Sequence, residues 1–139
     1  MLSVNKLESW KEFSGKCMEH REKSREIIES FRDRTIVGFG ASARSSTYLN
    51  SCGFTNSEVK AIIDNNRLKQ GFYSPGSSIP IVSIEEGFRM KPGLLFILAW
   101  NFKDEIIKEC IRKGYKGDYL IPFPRKPYLQ TNNAGGNDD

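Results

Sequence analysis

Apolar positions recur at intervals of three and four residues over the first part of the chain. Between Leu7 and Phe31 they alternate with charged residues, as on one face of an amphipathic helix. This pattern predicts one long helix, or two shorter helices that break at Ser14-Gly15, because glycine costs about 1 kcal/mol relative to alanine inside a helix. We assign residues 1–33 to an N-terminal helical segment.

After this segment, short β-branched or apolar runs alternate with helical patterns. Thr35 to Gly40 predicts a strand that runs into a glycine turn, and Ala41 to Asn50 predicts a helix that Gly53 ends. Further elements are predicted in chain order: a strand from Val59 to Ile63, an edge strand from Ile79 to Val82, a short helix from Ser83, a buried strand from Leu94 to Trp100, a helix with Asn101 as its N-cap and Gly114 as its end, and a strand from Asp118 to Ile121.

Strands that alternate with helices are typical of a parallel sheet joined by right-handed crossovers. We therefore predict an α/β domain over residues 34–124, with a Rossmann-like three-layer fold and a mostly parallel sheet of about five strands. The pattern leaves the strand order open. Arg67 to Ser78 is predicted to be a long loop, and the polar residues 125–139 a flexible tail.

In an open parallel sheet, ligands bind beyond the carboxyl ends of the strands. This rule selects a turn from Gly38 to Arg44, the segment Asp64 to Asn66, and the pair Trp100-Asn101. Glycines permit a tight turn, and the helix that follows offers free N–H groups to an anion. An alternative interpretation of the turn is a tight strand-to-helix junction that binds no ligand. Asp64 is expected either to accept hydrogen bonds from ribose hydroxyls or to form an Asx turn.

Composition narrows the classes of function. A chain of 139 residues predicts one domain, and its longest apolar stretch, Leu94 to Trp100, is too short to span a bilayer. The N-terminus lacks the hydrophobic block of a secretory signal, so we expect a cytoplasmic protein without a membrane partner. The 21 Lys and Arg and 17 acidic residues are interleaved, which disfavours nucleic acid and would suit a phosphate-bearing small molecule or a simple solvated surface.

Few residues could carry catalysis. His20 is the single histidine, so no His-based triad or multi-histidine metal site is possible, and a packing role is expected. Tyr73 and Lys69 could act in acid–base chemistry, but the sequence pairs them with no partner. No catalytic residue and no metal ligand is assigned. The cysteines have no metal-ligand spacing and are expected to be buried free thiols: Cys17, Cys52 and Cys110.

Four blocks carry a family resemblance: GFGASARSSTYLNSCGF, IIDNNRLKQGFYSPGSSIPIVS, LLFILAWNFKDEIIKEC and GDYLIPFP. In this order, over roughly residues 34–124, the chain resembles the C-terminal domain of the S-adenosylmethionine-dependent sugar C-methyltransferase family. The resemblance implies methylation of a carbon of a keto-deoxysugar attached to a nucleoside diphosphate. It also implies that S-adenosylmethionine and zinc are bound only by other domains of the full enzyme, and that no cofactor is bound by this chain.

We therefore expect a domain, or a free-standing relative, that helps to hold a nucleotide-linked deoxysugar and is not catalytic alone. Its expected partner is a methyltransferase domain, in cis or as a separate subunit. Two alternatives are an autonomous enzyme that uses a nicotinamide or similar nucleotide, and an interaction module that docks a methyltransferase subunit through the N-terminal helix and the sheet edge. Arg44 is expected to supply charge. The expected substrate-binding residues are Gly38, Gly40, Ala41, Ser42, Ala43, Arg44, Asp64, Asn65, Lys69, Gly71, Tyr73, Pro75, Gly76, Trp100 and Asn101.

Overall fold

The structure, a computed structural model, describes residues 18–131, in which a six-stranded sheet lies between two layers of helices. The strands are β1 (Ile36–Phe39), β2 (Ala61–Ile63), β3 (Ile81–Val82), β4 (Leu94–Ile97), β5 (Asp118–Ile121) and β6 (Tyr128–Gln130). The helices are α1 (18–30), α2 (Ala43–Cys52), α3 (Ile84–Arg89) and α4 (Lys103–Arg112), with a 3₁₀ turn at Trp100–Phe102 before α4.

The strand order is β3-β2-β1-β4-β5-β6, and the first five strands of that order are parallel. In the sheet Val37 lies between Ala61 and Leu95. These findings confirm the predicted Rossmann-like α/β fold and supply its strand order. The chain moves outward from β1 in one direction and from β4 in the other, so the carboxyl ends of these two strands form the switch point where ligands bind in such sheets.

Alternate residues of the central strands face opposite helix layers, as the period of two along a strand requires. Phe96 packs in one apolar cluster with Ile28 of α1 and Leu49 of α2. Leu95, one position earlier, packs in a second cluster with Ile106 of α4. Because both faces of the sheet are covered, β4 is buried along its whole length, as its continuous apolar run predicts.

Helix α1 belongs to the same core as the sheet. Ile27, Ile28 and Phe31 are buried against it, and Ser24 on the same helix face is fully buried. The described part of the predicted N-terminal helix therefore packs onto the domain. Residues 1–17, with the predicted break at Ser14-Gly15 and the apolar side chains of Leu7, Trp10 and Phe13, lie outside the described residues.

The prediction that Asn101 caps α4 is wrong. The helix begins at Lys103 without a side-chain cap, and Asn101 is exposed within the preceding 3₁₀ turn. The N–H groups of Leu98 and Ala99 both donate to the carbonyl of Phe39, which holds the chain against β1 and delays the helix by this extra turn. A capping box is found instead at the start of α3, formed by the side chains and N–H groups of Ser83 and Glu86.

The predicted flexible tail is wrong for residues 128–130, because they form β6. This strand pairs antiparallel with β5, with Tyr128 opposite Ile121. Its three residues are too few to give a periodic signal. Residues 132–139 lie outside the described part of the chain. Of the predicted buried thiols, those of Cys52 and Cys110 are confirmed, and Cys17 is not described. Within residues 18–131, every helix is too short or too polar to span a bilayer.

Candidate functional site

The glycine turn after β1 starts later than the sequence predicts, because Gly38 lies inside the strand and is buried. Gly40 is the residue that makes the turn possible, with a φ of +105°. A Cβ atom on Gly40 would lie only 2.6 Å from the Cβ of Ala99. Glycine therefore lets the ends of β1 and β4 come together at the switch point.

The first turn of α2 follows directly. Ser42 is the N-cap, and its side chain accepts a hydrogen bond of 3.1 Å from the N–H of Ser45. Ala43 and Arg44 are exposed in this first turn. Arg44 has no hydrogen-bond or ion-pair partner among residues 18–131, so its guanidinium is free to meet an anion.

Asp64 ties the end of β2 to the glycine turn. Its Oδ2 accepts a hydrogen bond of 2.8 Å from the N–H of Ala41, and its Oδ1 accepts one of 2.8 Å from the N–H of Asn66. The ammonium of Lys69 lies 3.9 Å from Oδ2 and donates to the carbonyl of Ala41. The bond to Asn66 is that of an Asx turn, and both carboxylate oxygens already have protein donors.

Two adjoining clefts open at the switch point. The switch-point cleft has a volume of about 340 Å³ and is lined by Ser42, Ala43, Arg44, Leu98, Ala99, Trp100, Asn101 and Phe102. The aromatic cleft has a volume of about 480 Å³ and is lined by Ala43, Arg44, Ser45, Thr47, Tyr48, Ser51, Leu98, Trp100, Pro122 and Phe123. Ala43, Arg44, Leu98 and Trp100 line both clefts and therefore mark the border between them.

Three ring systems define the aromatic cleft. The rings of Trp100 and Phe123 lie 5.8 Å apart at an angle of 45°, and the ring of Tyr48 meets that of Phe123 edge-on at 5.0 Å. Behind them His20 stacks on Phe123, with 4.3 Å between the ring centroids. The contact between His20 and Phe123 places helix α1 against the segment that follows β5.

A chain of hydrogen bonds fixes this arrangement. The Nε2 of His20 lies 2.5 Å from the carbonyl of Pro122, which can only accept, so Nε2 donates. The Nδ1 of His20 lies 3.3 Å from the hydroxyl oxygen of Tyr48, and this hydroxyl also hydrogen-bonds to the hydroxyl of Ser24. Burial raises the pKa of Tyr48 above its ordinary value, so this phenol stays neutral.

The structure brings some of the predicted site residues together. Five of them line the switch-point cleft: Ser42, Ala43, Arg44, Trp100 and Asn101. Gly40, Ala41, Asp64 and Lys69 support the turn from behind, and Asn65 is exposed beside Asp64.

The later part of the long loop lies elsewhere. The N–H of Gly71 donates to Ile81, and Tyr73 pairs with Pro80, so this part runs along the edge strand β3. The amide of Asn50, at the far end of α2, donates to the carbonyl of Pro75, next to Gly76. Because α2 runs back from the switch point, Pro75 and Gly76 lie near the opposite end of the sheet and line neither cleft.

Several lining residues escape the sequence analysis. Thr47, Tyr48 and Ser51 follow Arg44 at helical spacings of three and four, which is a signal that places them on one face of α2. Pro122 and Phe123 follow β5, so the carboxyl-end rule also applies to them. Nothing in the sequence indicates that His20 supports Phe123. Within residues 18–131, no group of three or more His, Cys, Asp or Glu side chains could hold a metal ion.

The strand order, the glycine turn and the clefts beyond β1 and β4 define a Rossmann-like domain with a ligand end at its switch point. The sequence model of the C-methyltransferase C-terminal domain family matches residues 1–124. The chain therefore belongs to this family. It is 34% identical, over 130 residues, to the C-methyltransferase NovU of Streptomyces niveus. The match covers 90% of this chain and 30% of that protein, so the chain spans less than a third of the length of this relative.

Proposed function

We propose that this chain is the substrate-holding domain of a sugar C-methyltransferase and binds a nucleoside diphosphate sugar across the two clefts. It is not catalytic alone. The methyltransferase domain, in cis or as a separate subunit, supplies the S-adenosylmethionine site and, with it, the zinc-binding region. The substrate is a nucleotide-linked deoxysugar, and the reaction takes place in the cytoplasm.

One observation carries the proposal: an exposed guanidinium, which has no partner among residues 18–131, lies on the border between two clefts. A nucleoside diphosphate sugar has a matching layout, with an anionic diphosphate between a base and a sugar. Arg44 can form paired hydrogen bonds with phosphate oxygens while the two ends of the ligand occupy the clefts on either side.

The lining of the clefts supports a holding role. Within the described part of the chain, residues 18–131, it contains no carboxylate and no histidine that could act as a general base. Tyr48 is the phenol among these described lining residues; burial raises its pKa above the ordinary value, and its hydroxyl already bonds to Ser24 and His20. The groups present can bind and orient a substrate, and the acid–base chemistry falls to the other domain.

The geometry of Asp64 weighs against a nicotinamide enzyme. In a dinucleotide site the acidic residue at the end of the second strand accepts hydrogen bonds from ribose hydroxyls. Here the Asp64 carboxylate binds the N–H groups of Ala41 and Asn66, and Lys69 lies beside it. A ribose would have to displace these donors.

Isothermal titration of the 139-residue chain with diphosphate sugars of thymidine, uridine, guanosine and cytidine, beside S-adenosylmethionine and reduced nicotinamides, tests the proposal. We expect at least one sugar nucleotide to bind and the methyl donor not to bind. Arg44→Ala is expected to weaken binding about tenfold or more, because it removes a charge-assisted contact. Arg112→Ala, which removes an exposed guanidinium from the end of α4, is the matched control and should bind as the parent does. An Arg44→Ala chain with unchanged affinity would refute this role.

A second function, docking of a methyltransferase subunit, is favoured by apolar side chains beside the sheet edge. Leu68, Phe72 and Tyr73 are 84%, 66% and 64% exposed, which is unusual for side chains of this size. Light scattering of the chain alone, and mixed with the catalytic region of the NovU relative, tests this function. Formation of a complex that is lost in the Phe72→Ser and Tyr73→Ser variants would support docking. A chain that stays monomeric in the presence of the partner would refute it.

A further inference from the structure

The aromatic cleft differs from the switch-point cleft in the chemistry of its walls. Leu98 and Trp100 line both clefts, and the aromatic cleft adds Pro122 and the rings of Phe123 and Tyr48 to this apolar surface. Tilted aromatic rings of this kind bind flat ligands by stacking, since every nucleobase presents a π-face.

Hydroxyl groups near this cleft already have partners. Thr47 donates to the carbonyl of Ala43 at 3.0 Å, and Ser51 donates to the carbonyl of Tyr48 at 2.8 Å. The hydroxyl of Tyr48 is bound to His20 and Ser24. A hexose placed here would bury hydroxyl groups with few free partners, and burial of unpaired polar groups is costly. For a nucleobase the cost of burying unpaired polar groups is smaller, because much of its surface is a π-face.

The reaction sets a further condition, which rests on the proposed function. The carbon that receives the methyl group must reach a donor held by another domain, so the sugar has to project away from this one. The end of the substrate that can be buried here is the end that does not react. Binding energy from such a remote group still positions the reacting carbon.

We infer that the aromatic cleft is the nucleobase subsite. The base stacks on the ring of Trp100 and meets the ring of Phe123 at an angle, because the two rings are inclined by 45°. The diphosphate lies at Arg44, and the sugar leaves through the switch-point cleft. Stacking of His20 on Phe123 and its hydrogen bond to Pro122 hold the wall in place before the ligand arrives. A preformed wall reduces the ordering cost of binding.

Trp100 reports on this subsite directly. The chain has two tryptophans, Trp10 and Trp100, so Trp10→Phe leaves Trp100 as the one indole that emits. Titrations of this variant with thymidine diphosphate glucose, thymidine monophosphate and glucose 1-phosphate compare a whole ligand with each of its ends. We expect quenching by the first two ligands and, for glucose 1-phosphate, neither quenching nor competition at tenfold higher concentration.

Calorimetry on variants of the two rings measures how much each ring contributes to the affinity. Trp100→Ala and Phe123→Ala should each weaken thymidine monophosphate roughly five- to hundredfold, the range that loss of one stacked base implies. Trp100→Phe keeps a ring and should recover most of the affinity, which guards against a misfolded alanine variant. Ile111→Ala removes an exposed apolar side chain from α4, lines neither cleft, and should leave affinity unchanged.

The outcomes distinguish a failure of the nucleobase subsite from a failure of the proposed function. If the sugar nucleotide binds and glucose 1-phosphate competes as well as thymidine monophosphate does, the base is not held here and the inference is overturned, while the proposed function stands. The same holds if the sugar nucleotide binds and Trp100→Ala binds it unchanged. If no sugar nucleotide binds, both the inference and the proposed function are overturned.

Discussion

The N–H of Ala41 donates a hydrogen bond of 2.8 Å to the Oδ2 of Asp64. This bond joins the turn after β1 to the end of β2, and Lys69 reinforces it through the carbonyl of Ala41. The carboxylate therefore shapes the ligand end of the sheet from behind. Its position leaves the space on the β4 and β5 side as the place where a ligand can bind.

Asp64→Ala is expected to destabilise the chain by about 1–3 kcal/mol for each donor left without its acceptor, which here are the N–H groups of Ala41 and Asn66. Urea unfolding followed by circular dichroism measures the change. Asp104→Ala removes an 82% exposed carboxylate and should change stability by less than about 0.5 kcal/mol. Equal stability of the two variants would show that the bonds of Asp64 do not hold the turn.

Gly40→Ala is expected to unfold the switch point for two reasons. The φ of +105° is strained for alanine, which costs about 1–3 kcal/mol, and the new Cβ would meet Ala99 at 2.6 Å. Gly114→Ala is the matched control, because its φ is +91° and nothing lies within 4 Å of the new Cβ. The difference between their free energies of unfolding measures the close approach of β1 and β4. A difference near zero would contradict that approach.

How far the sequence predicts the fold depends on how local each cause is. Strand β5 and the end of α2 at Gly53 follow from neighbouring residues: an apolar run, and a left-handed residue with a φ of +75°. The exposed part of the site near Arg44 follows from the strand-end rule. The start of α4 does not follow from neighbouring residues, because backbone hydrogen bonds to the carbonyl of Phe39 move it later in the chain.

The aromatic cleft depends on a contact between His20 and Phe123, which are about a hundred positions apart in the chain. Periodicity describes one element at a time, so it identifies the apolar face of α1 but not the strand end that this face reaches. Strand β6 could not be predicted for another reason. Its three residues show no pattern of their own, and they form a strand because they pair with β5.

Tyr48→Phe is expected to lower stability by about 1–3 kcal/mol, although it removes one oxygen atom only. The hydroxyl of Ser24 is fully buried and would lose its partner, and the Nδ1 of His20 would lose its hydrogen bond to the phenol. Thermal and urea unfolding measure the loss. Tyr73→Phe changes the same group on a 64% exposed ring and serves as the control. Equal stability of Tyr48→Phe and the parent would mean that the chain of hydrogen bonds contributes nothing.

Stability is expected to fall at alkaline pH because buried acids are held protonated in the folded chain. Burial raises the pKa of Cys110 from 9.0, and that of Tyr119 from 10.0, to about 12. Since the unfolded chain loses these protons first, the stabilisation is complete below pH 9 and is lost as pH rises toward 12. Cys110 adds a slope of up to about 1.4 kcal/mol per pH unit between pH 9.0 and about 12, and Tyr119 adds the same between pH 10.0 and about 12.

Tyr119→Phe tests this account, because the hydroxyl of Tyr119 is buried and has no hydrogen-bond partner among the described residues. Removal of an unsatisfied hydroxyl should leave stability at pH 7 unchanged or raise it by about 1 kcal/mol. The variant should also lose stability less steeply than the parent between pH 10 and 12, since one buried acid no longer titrates. Urea unfolding at pH 7, 9, 10 and 11 gives both quantities, with Tyr73→Phe as the control. A variant less stable at pH 7 with an unchanged alkaline slope would contradict the burial of a protonated phenol at this position.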